Sequence, residues 1–148
     1  MSDDDELVIE WLHHDECVAL LTTVELGRLG VVEGGEPLVV PVNFTYTDGS
    51  VVIHTDEGTK LSAASYGRAA LEADTIDPVT HEGWSVLVRG RAYEITEAVD
   101  SRSERLQRVP NRSWAPGPKE HLLMIQADQV TGRRLRQRRH QEERPPTV

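Results

Sequence analysis

The chain consists largely of short apolar stretches separated by tight-turn signals. Apolar and polar residues alternate most clearly over residues 42–47 (VNFTYT), which is typical of a half-buried strand. The dipeptides at 34–35 (GG) and 48–49 (DG) supply the positive φ angles that tight hairpins need. The pattern therefore predicts six strands, at residues 27–33, 37–47, 50–55, 68–77, 84–96 and 121–130.

Three short segments favour helix instead. Residues 14–23 (HDECVALLTT) place Asp15 and Glu16 in a first turn, where the helix dipole favours acidic side chains. Residues 61–65 (LSAAS) and 99–109 are the other two, and we interpret the charged face of the last as solvated. We interpret Cys17 as a packing residue, since no cationic neighbour is evident that would make its thiol reactive.

The spacing of the strands decides the fold class. The hairpins are too close together for the crossovers that parallel strands require, so the pattern indicates a mainly β (α+β) antiparallel barrel with short peripheral helices. Pro41 lies inside the second strand, where its missing donor indicates an edge, a bulge or a ligand close to the backbone. We divide the chain into an acidic extension (1–12), one domain (13–138) and a disordered tail (139–148), with no strand predicted after residue 130.

Composition and charge exclude several classes of function. A chain of 148 residues forms one domain with a real core. The net charge of −9 argues against nucleic acid and anionic membranes as partners, since both need basic surface. One cysteine excludes an intramolecular disulfide and a multi-cysteine zinc site. The acidic start is unlike a signal peptide and no apolar run is long enough to span a membrane, so we expect a cytoplasmic protein.

The segment 51–65, VVIHTDEGTKLSAAS, holds the strongest candidate binding feature. A predicted strand stops at Gly58 and Thr59 and leads into a predicted helix, which leaves backbone N–H groups free beside the positive end of the helix dipole. Lys60 adds a charge there, and it is one of only two lysines, with Lys119. This turn suits a phosphate. The alternative is a capped strand-to-helix turn with a solvated lysine.

The histidines offer two weak candidates for catalysis. His54 ends a predicted strand beside this turn, and His121 opens the last strand. A histidine at the rim of a barrel is the alternative for His54. We interpret the adjacent His13 and His14 as a helix-capping pair, and we expect no metal site.

The order of the motifs resembles a known family. GRLGVV, a double-glycine hairpin, PVNF, a DG hairpin, HTDEGTKL, ALEADTIDP and GWSVLVRGRA follow one another as in the pyridoxamine 5′-phosphate oxidase-like family of FMN-binding split β-barrels. The resemblance covers residues 13–135. It implies a six-stranded antiparallel split barrel that binds FMN at the interface of a homodimer.

The same resemblance implies where the cofactor is bound. Four residues would run along the flavin ring, and two more would lie beside the ring and the ribityl chain: Pro41, Val42, Asn43, Phe44, His54 and Thr55. Gly58, Thr59 and Lys60 would hold the phosphate. Trp84 and Ser85 would face the flavin of the other chain, with Arg133 or Arg134 near the ring.

One departure from the family pattern leaves the cofactor open. Thr59 occupies the place where the namesake oxidase has an arginine next to the lysine, so FAD or the deazaflavin F420 are alternatives to FMN. The arginines and histidine that would hold pyridoxamine phosphate are not matched. We therefore expect a flavin-dependent oxidoreductase acting on a small molecule. The alternatives are an F420-dependent reductase or a flavin- or haem-binding module without turnover.

Overall fold

The computed structural model describes residues 6–55, 67–95, 101–117 and 121–138 of the chain. These residues form two helices, α1 (His14–Leu21) and α2 (Ser101–Gln107). They also form nine strands: β1 (Leu7–Trp11), β2 (Leu26–Glu33), β3 (Glu36–Asn43), β4 (Thr45–Thr47), β5 (Ser50–Thr55), β6 (Arg68–Ile76), β7 (Gly83–Ile95), β8 (His121–Gln126) and β9 (Gln129–Gln137).

The long strand β7 divides the sheet into two branches. One edge of β7 pairs with β6 over its first nine residues. The other edge pairs with β9 over residues 83–89 and then with β8 over residues 92–95. On the β8 side, β5 pairs with β8 and β4 pairs with β5. On the β9 side, β1 is the one further strand of the described sheet. Every pair is antiparallel, and the branching is that of a split barrel, as the sequence predicts, rather than of a closed one.

Gly90 lies at the point where β7 changes partner. A Cβ added there would lie 1.6 Å from the carbonyl oxygen of Gln126 and 2.8 Å from its carbonyl carbon. The backbone N–H of Asp128 also donates to the carbonyl of Arg89 at 3.1 Å. The glycine in the strand interior therefore marks a close approach between two backbones.

Two apolar clusters hold the branches together. The larger one lies inside the barrel and includes the buried Cys17 and Leu21 of α1. The smaller one packs Leu106 of α2 against Val52 and Leu122. Because β8 is covered on both faces, residues 122–125 are all buried, which explains their unbroken LLMI run.

The structure corrects the strand count. The predicted strand 37–47 is interrupted at the buried Phe44, so it becomes β3 and β4. The predicted last strand ends at residue 126, and the arginine-rich segment after it forms β9. Residues 7–11 of the supposed extension form β1, which pairs with β9. Polar side chains hid β9, since a strand supported by ion pairs such as Arg136–Glu10 (2.8 Å) needs no apolar alternation. β1 is a short apolar run without alternation, and its pairing with β9 is what identifies it as a strand.

Other sequence predictions agree with the structure, and two concern residues that the structure does not describe. The helices at 14–23 and 99–109 correspond to α1 and α2. The backbone N–H of His13 donates to the Glu16 carboxylate at 3.1 Å, as expected for a residue that precedes a helix. Pro41 lies on β3, which is an edge strand of the described sheet. The predicted helix 61–65 and the tail 139–148 lie outside the described residues.

Candidate functional site

Several predicted site residues share one surface, here called the outer face. It is the side of β1, β2, β3, β6, β7 and β9 that points away from the larger core. Strand alternation assigns Ser85 and Arg133 to this side, because their neighbours Val86 and Gly132 are buried on the other. Large apolar side chains remain exposed on it, including Val39 at 67% and Trp11 at 72%.

Trp84 and Ser85, predicted to face the flavin of the other chain, meet the two candidate ring arginines across β7 and β9. Ser85 lies opposite Arg133, and Trp84 lies opposite Arg134. Only the first pair is on the outer face. Trp84 packs against the larger core, so the structure separates the four residues into an accessible pair and a pair on the core side. Arg133 rather than Arg134 is therefore the arginine on the surface with Ser85.

The four residues predicted to run along the flavin ring also differ in the side of the sheet that they occupy. Phe44 is buried at 2% exposure and Val42 packs against the core, so neither side chain is on the outer face. Pro41 is exposed there. The Asn43 side chain has other partners: its Oδ1 accepts from the backbone N–H of Trp114 at 2.8 Å, and its Nδ2 donates to the Glu25 carbonyl at 3.4 Å.

The end of β5 carries the two residues predicted to flank the ring and ribityl chain. Thr55 is buried, and His54 is half-buried. Burial lowers the pKa of His54 below its usual value, so its imidazole is neutral at neutral pH. The phosphate turn of Gly58, Thr59 and Lys60 lies outside the described residues.

A histidine–carboxylate pair adjoins Thr55. His121 begins β8 directly opposite Thr55 of β5. Its Nδ1 is hydrogen-bonded to Oε1 of Glu94 on β7, and both side chains are largely shielded from solvent. Such a pair holds an imidazole in one orientation, as acid–base chemistry requires. The sequence indicated His121 but not Glu94, because only the β7–β8 register brings the two together.

The outer face also carries a pair of carboxyl groups that the sequence analysis did not predict. Glu72 and Asp74 of β6 are hydrogen-bonded to each other, and Arg28 of β2 forms an ion pair with Asp74 at 3.6 Å. Asp74 lies opposite Ser85 in the β6–β7 register. Burial, then the hydrogen bond and negative charge of Asp74, raise the pKa of Glu72 to about 7, and Arg28 partly opposes the rise. The sequence did contain a signal for this pair, because acidic residues two positions apart on a predicted strand lie on the same face.

Stability is expected to depend on pH through Glu72. The folded protein keeps this proton up to about pH 7, whereas an unperturbed glutamate loses it near 4.5. The folded state therefore binds more protons between these values, so the free energy of unfolding falls as pH rises from about 4.5 to 7. Glu72→Gln is expected to remove this decline and to be more stable than wild type at pH 8 by roughly 1 kcal/mol, after allowance for solvent screening.

Urea unfolding at a series of pH values measures the effect. Glu36→Gln, at the tip of the β2–β3 hairpin, is the matched control and should retain the wild-type pH profile. A Glu72→Gln protein whose stability declines between pH 5 and 7 as steeply as wild type would contradict the assignment.

A groove of about 330 Å³ occupies the outer face between the β2–β3 hairpin and β6. Its walls are mainly apolar, with Gly30, Val32 and Val39 among them, and Arg68 and Arg89 also line it. Its volume falls in the range of small-molecule sites. The residues that the structure describes include no cluster of three metal-ligating side chains, and no helix among them is long and apolar enough to cross a membrane.

Known proteins are similar to this chain in sequence and in fold. The family model described as pyridoxamine 5′-phosphate oxidase matches residues 13–134. The chain is 33% identical over 130 residues to the uncharacterized protein Rv0080 of Mycobacterium tuberculosis, with 84% of each chain covered.

Two solved structures are also similar. The structure of the FAD binding protein from Mycobacterium smegmatis has a TM-score of 0.65 and 30% identity, and the match covers 87% of this chain and all (100%) of that one. A FAD-binding protein from Mesorhizobium loti has a TM-score of 0.69 over 89% of this chain and 100% of that chain; at 24% identity it shows the fold alone.

Proposed function

Because the chain belongs to the pyridoxamine 5′-phosphate oxidase family, we propose that it is a flavin-dependent oxidoreductase that binds FMN or FAD and acts on a small molecule. The observation that carries the proposal is the 30% identity, over 87% of this chain, to a protein described as FAD binding. The oxidation of pyridoxamine phosphate is not part of it, since the residues that would hold that substrate are not matched in the sequence.

The chemistry of the outer face supports this proposal. A flat ring system with a phosphate needs an apolar surface and nearby positive charge. The groove has mainly apolar walls, and two arginines are among its lining residues. Val39 in its wall and the exposed Pro41, the first residue that the family resemblance assigns to the ring, lie on the same side of β3.

A second copy of the chain is the partner that we propose for the outer face. Five large apolar side chains on this face remain exposed: Ile9, Trp11, Val32, Val39 and Ile76. Exposed apolar patches of this kind mark protein interfaces. In such a dimer, Ser85 and Arg133 of one chain would face the cofactor bound by the other.

When bound, the flavin supplies the hydride or electron transfer. The chain's own residues orient the ligand and supply charge. Arg133 carries a permanent positive charge that would stabilise an anionic ring. His121, held by Glu94, can hold or release a proton at the imidazole nitrogen that faces away from the carboxylate.

One preparation of the purified full-length protein tests this function and its assembly. We expect two visible flavin bands that bleach on reduction, and a sedimentation coefficient of two chains at low protein concentration.

A single violet band would replace the proposal with F420, and a Soret band would replace it with haem. Flavin that neither NAD(P)H nor reduced F420 can reduce would indicate a binding module. A colourless protein that takes up none of these would overturn it, and a monomer that binds flavin would overturn the shared site.

A further inference from the structure

The segment that follows α2 presents an exposed tryptophan at the end of β3. Residues 110–117 contain no regular secondary structure, yet side chains fix their path. The backbone N–H of Trp114 donates to Asn43 Oδ1 at 2.8 Å. Two residues earlier, Arg112 forms an ion pair with Glu25 at 2.9 Å. Both anchors lie where β3 ends and β2 begins.

Among the residues that the structure describes, none takes part in this anchoring through the indole itself. Trp114 is 65% exposed, although a buried tryptophan removes more apolar surface from water than any other residue. By contrast, Trp84 packs against the larger core. Within the described part of the chain, polar contacts therefore anchor the backbone at Trp114 while its ring stays largely exposed. An arrangement of this kind suits an aromatic side chain that contacts a ligand rather than the protein core.

We propose that Trp114 stacks on the isoalloxazine ring of the flavin, and that Asn43 positions it. This inference rests on the proposed function. The oxidised isoalloxazine is a flat, electron-poor ring, and indole is an electron-rich one, so the two stack favourably. Asn43 then acts on the cofactor through Trp114 and not by direct contact, because both ends of its carboxamide already have protein partners.

Bound-flavin fluorescence is the first readout. An indole in contact with a photoexcited flavin donates an electron that then returns, so the emission is lost and nothing is consumed. We expect the flavin bound to wild-type protein to be nearly dark and the emission to recover severalfold in Trp114→Ala. Trp114→Phe keeps an aromatic ring with a weaker donor and should give brighter flavin with affinity closer to wild type.

Affinity is the second readout, measured by titrating FMN and FAD into apoprotein. Stacking between aromatic rings accounts for about 0.5–1.5 kcal/mol, which corresponds to a roughly two- to twelvefold weaker affinity for Trp114→Ala. Asn43→Ala should weaken binding to a similar extent, and Asn43→Asp, which keeps the acceptor for the Trp114 N–H, should weaken it less.

The double variant Asn43→Ala/Trp114→Ala separates positioning from contact. If Asn43 acts through Trp114, the double variant binds no more weakly than either single variant. Additive losses would mean that Asn43 touches the cofactor itself and would overturn the positioning role. Flavin that binds Trp114→Ala with wild-type affinity and remains dark would overturn the stacking and leave the proposed function intact. If wild-type protein binds no flavin, the proposed function itself fails. Circular dichroism of each variant confirms that it is folded.

Discussion

Gly90→Ala is expected to destabilise the protein by about 3 kcal/mol or more, which is enough to unfold a marginally stable domain. The added methyl group would lie 1.6 Å from the Gln126 carbonyl oxygen, and that oxygen belongs to a backbone rather than to a side chain that can rotate away. Relief therefore requires that β7 and β8 separate where β7 changes partner from β9 to β8. Urea unfolding followed by far-UV circular dichroism measures the loss.

Gly30→Ala is the matched control for this effect. Gly30 also lies within a strand, but a Cβ there would meet nothing closer than the Ala70 carbonyl oxygen at 3.8 Å. Alanine in that open site is expected to be neutral or slightly stabilising, because it restricts the unfolded chain. Equal stability of the two alanine variants would show that the branch point tolerates a side chain.

Lys60→Ala is expected to weaken FMN binding about ten- to a hundredfold, because a charged hydrogen bond to phosphate contributes roughly 1.5–3 kcal/mol. This expectation comes from the sequence, since Lys60 lies outside the described residues. Fluorescence titration of apoprotein with FMN measures the loss. Riboflavin, which lacks the phosphate, should bind the variant and the wild type equally well.

The second lysine provides the control. Lys119 is the only other lysine in the chain, so Lys119→Ala removes the same charge from the protein as a whole. It should leave FMN affinity unchanged. If both variants bind FMN as wild type does, the turn at residues 58–60 does not hold the phosphate. If both weaken it equally, the effect is one of net charge and not of a specific contact.

Local signals predicted much of the fold. The DG turn at 48–49 and the GG turn at 34–35 each have a positive φ in the structure and join β4 to β5 and β2 to β3. These turns were predictable because their geometry depends on the residues within them. The proline in β3 indicated an edge, a bulge or a ligand close to the backbone, and β3 is an edge strand of the described sheet.

The errors arose where pairing depends on distant residues. β1 and β9 lie more than a hundred positions apart in the chain, and their backbones pair with an ion pair between Glu10 and Arg136 beside them. Neither segment has the apolar alternation that identifies a strand by itself. Glu94 was missed for a similar reason, because β7 and β8 are separated in sequence by α2 and the segment after it.

The sequence by itself determined the antiparallel fold class, the positions of the tight turns and the family, because each follows from residues close together in the chain or from their order. Tertiary structure decided which of the predicted site residues share a surface. Ser85 lies with Arg133 on the outer face, whereas Trp84 and Phe44 pack in the core. The Asn43 side chain accepts a hydrogen bond from the backbone of Trp114. The register between strands determines these outcomes, and a shift of one residue would exchange the two faces.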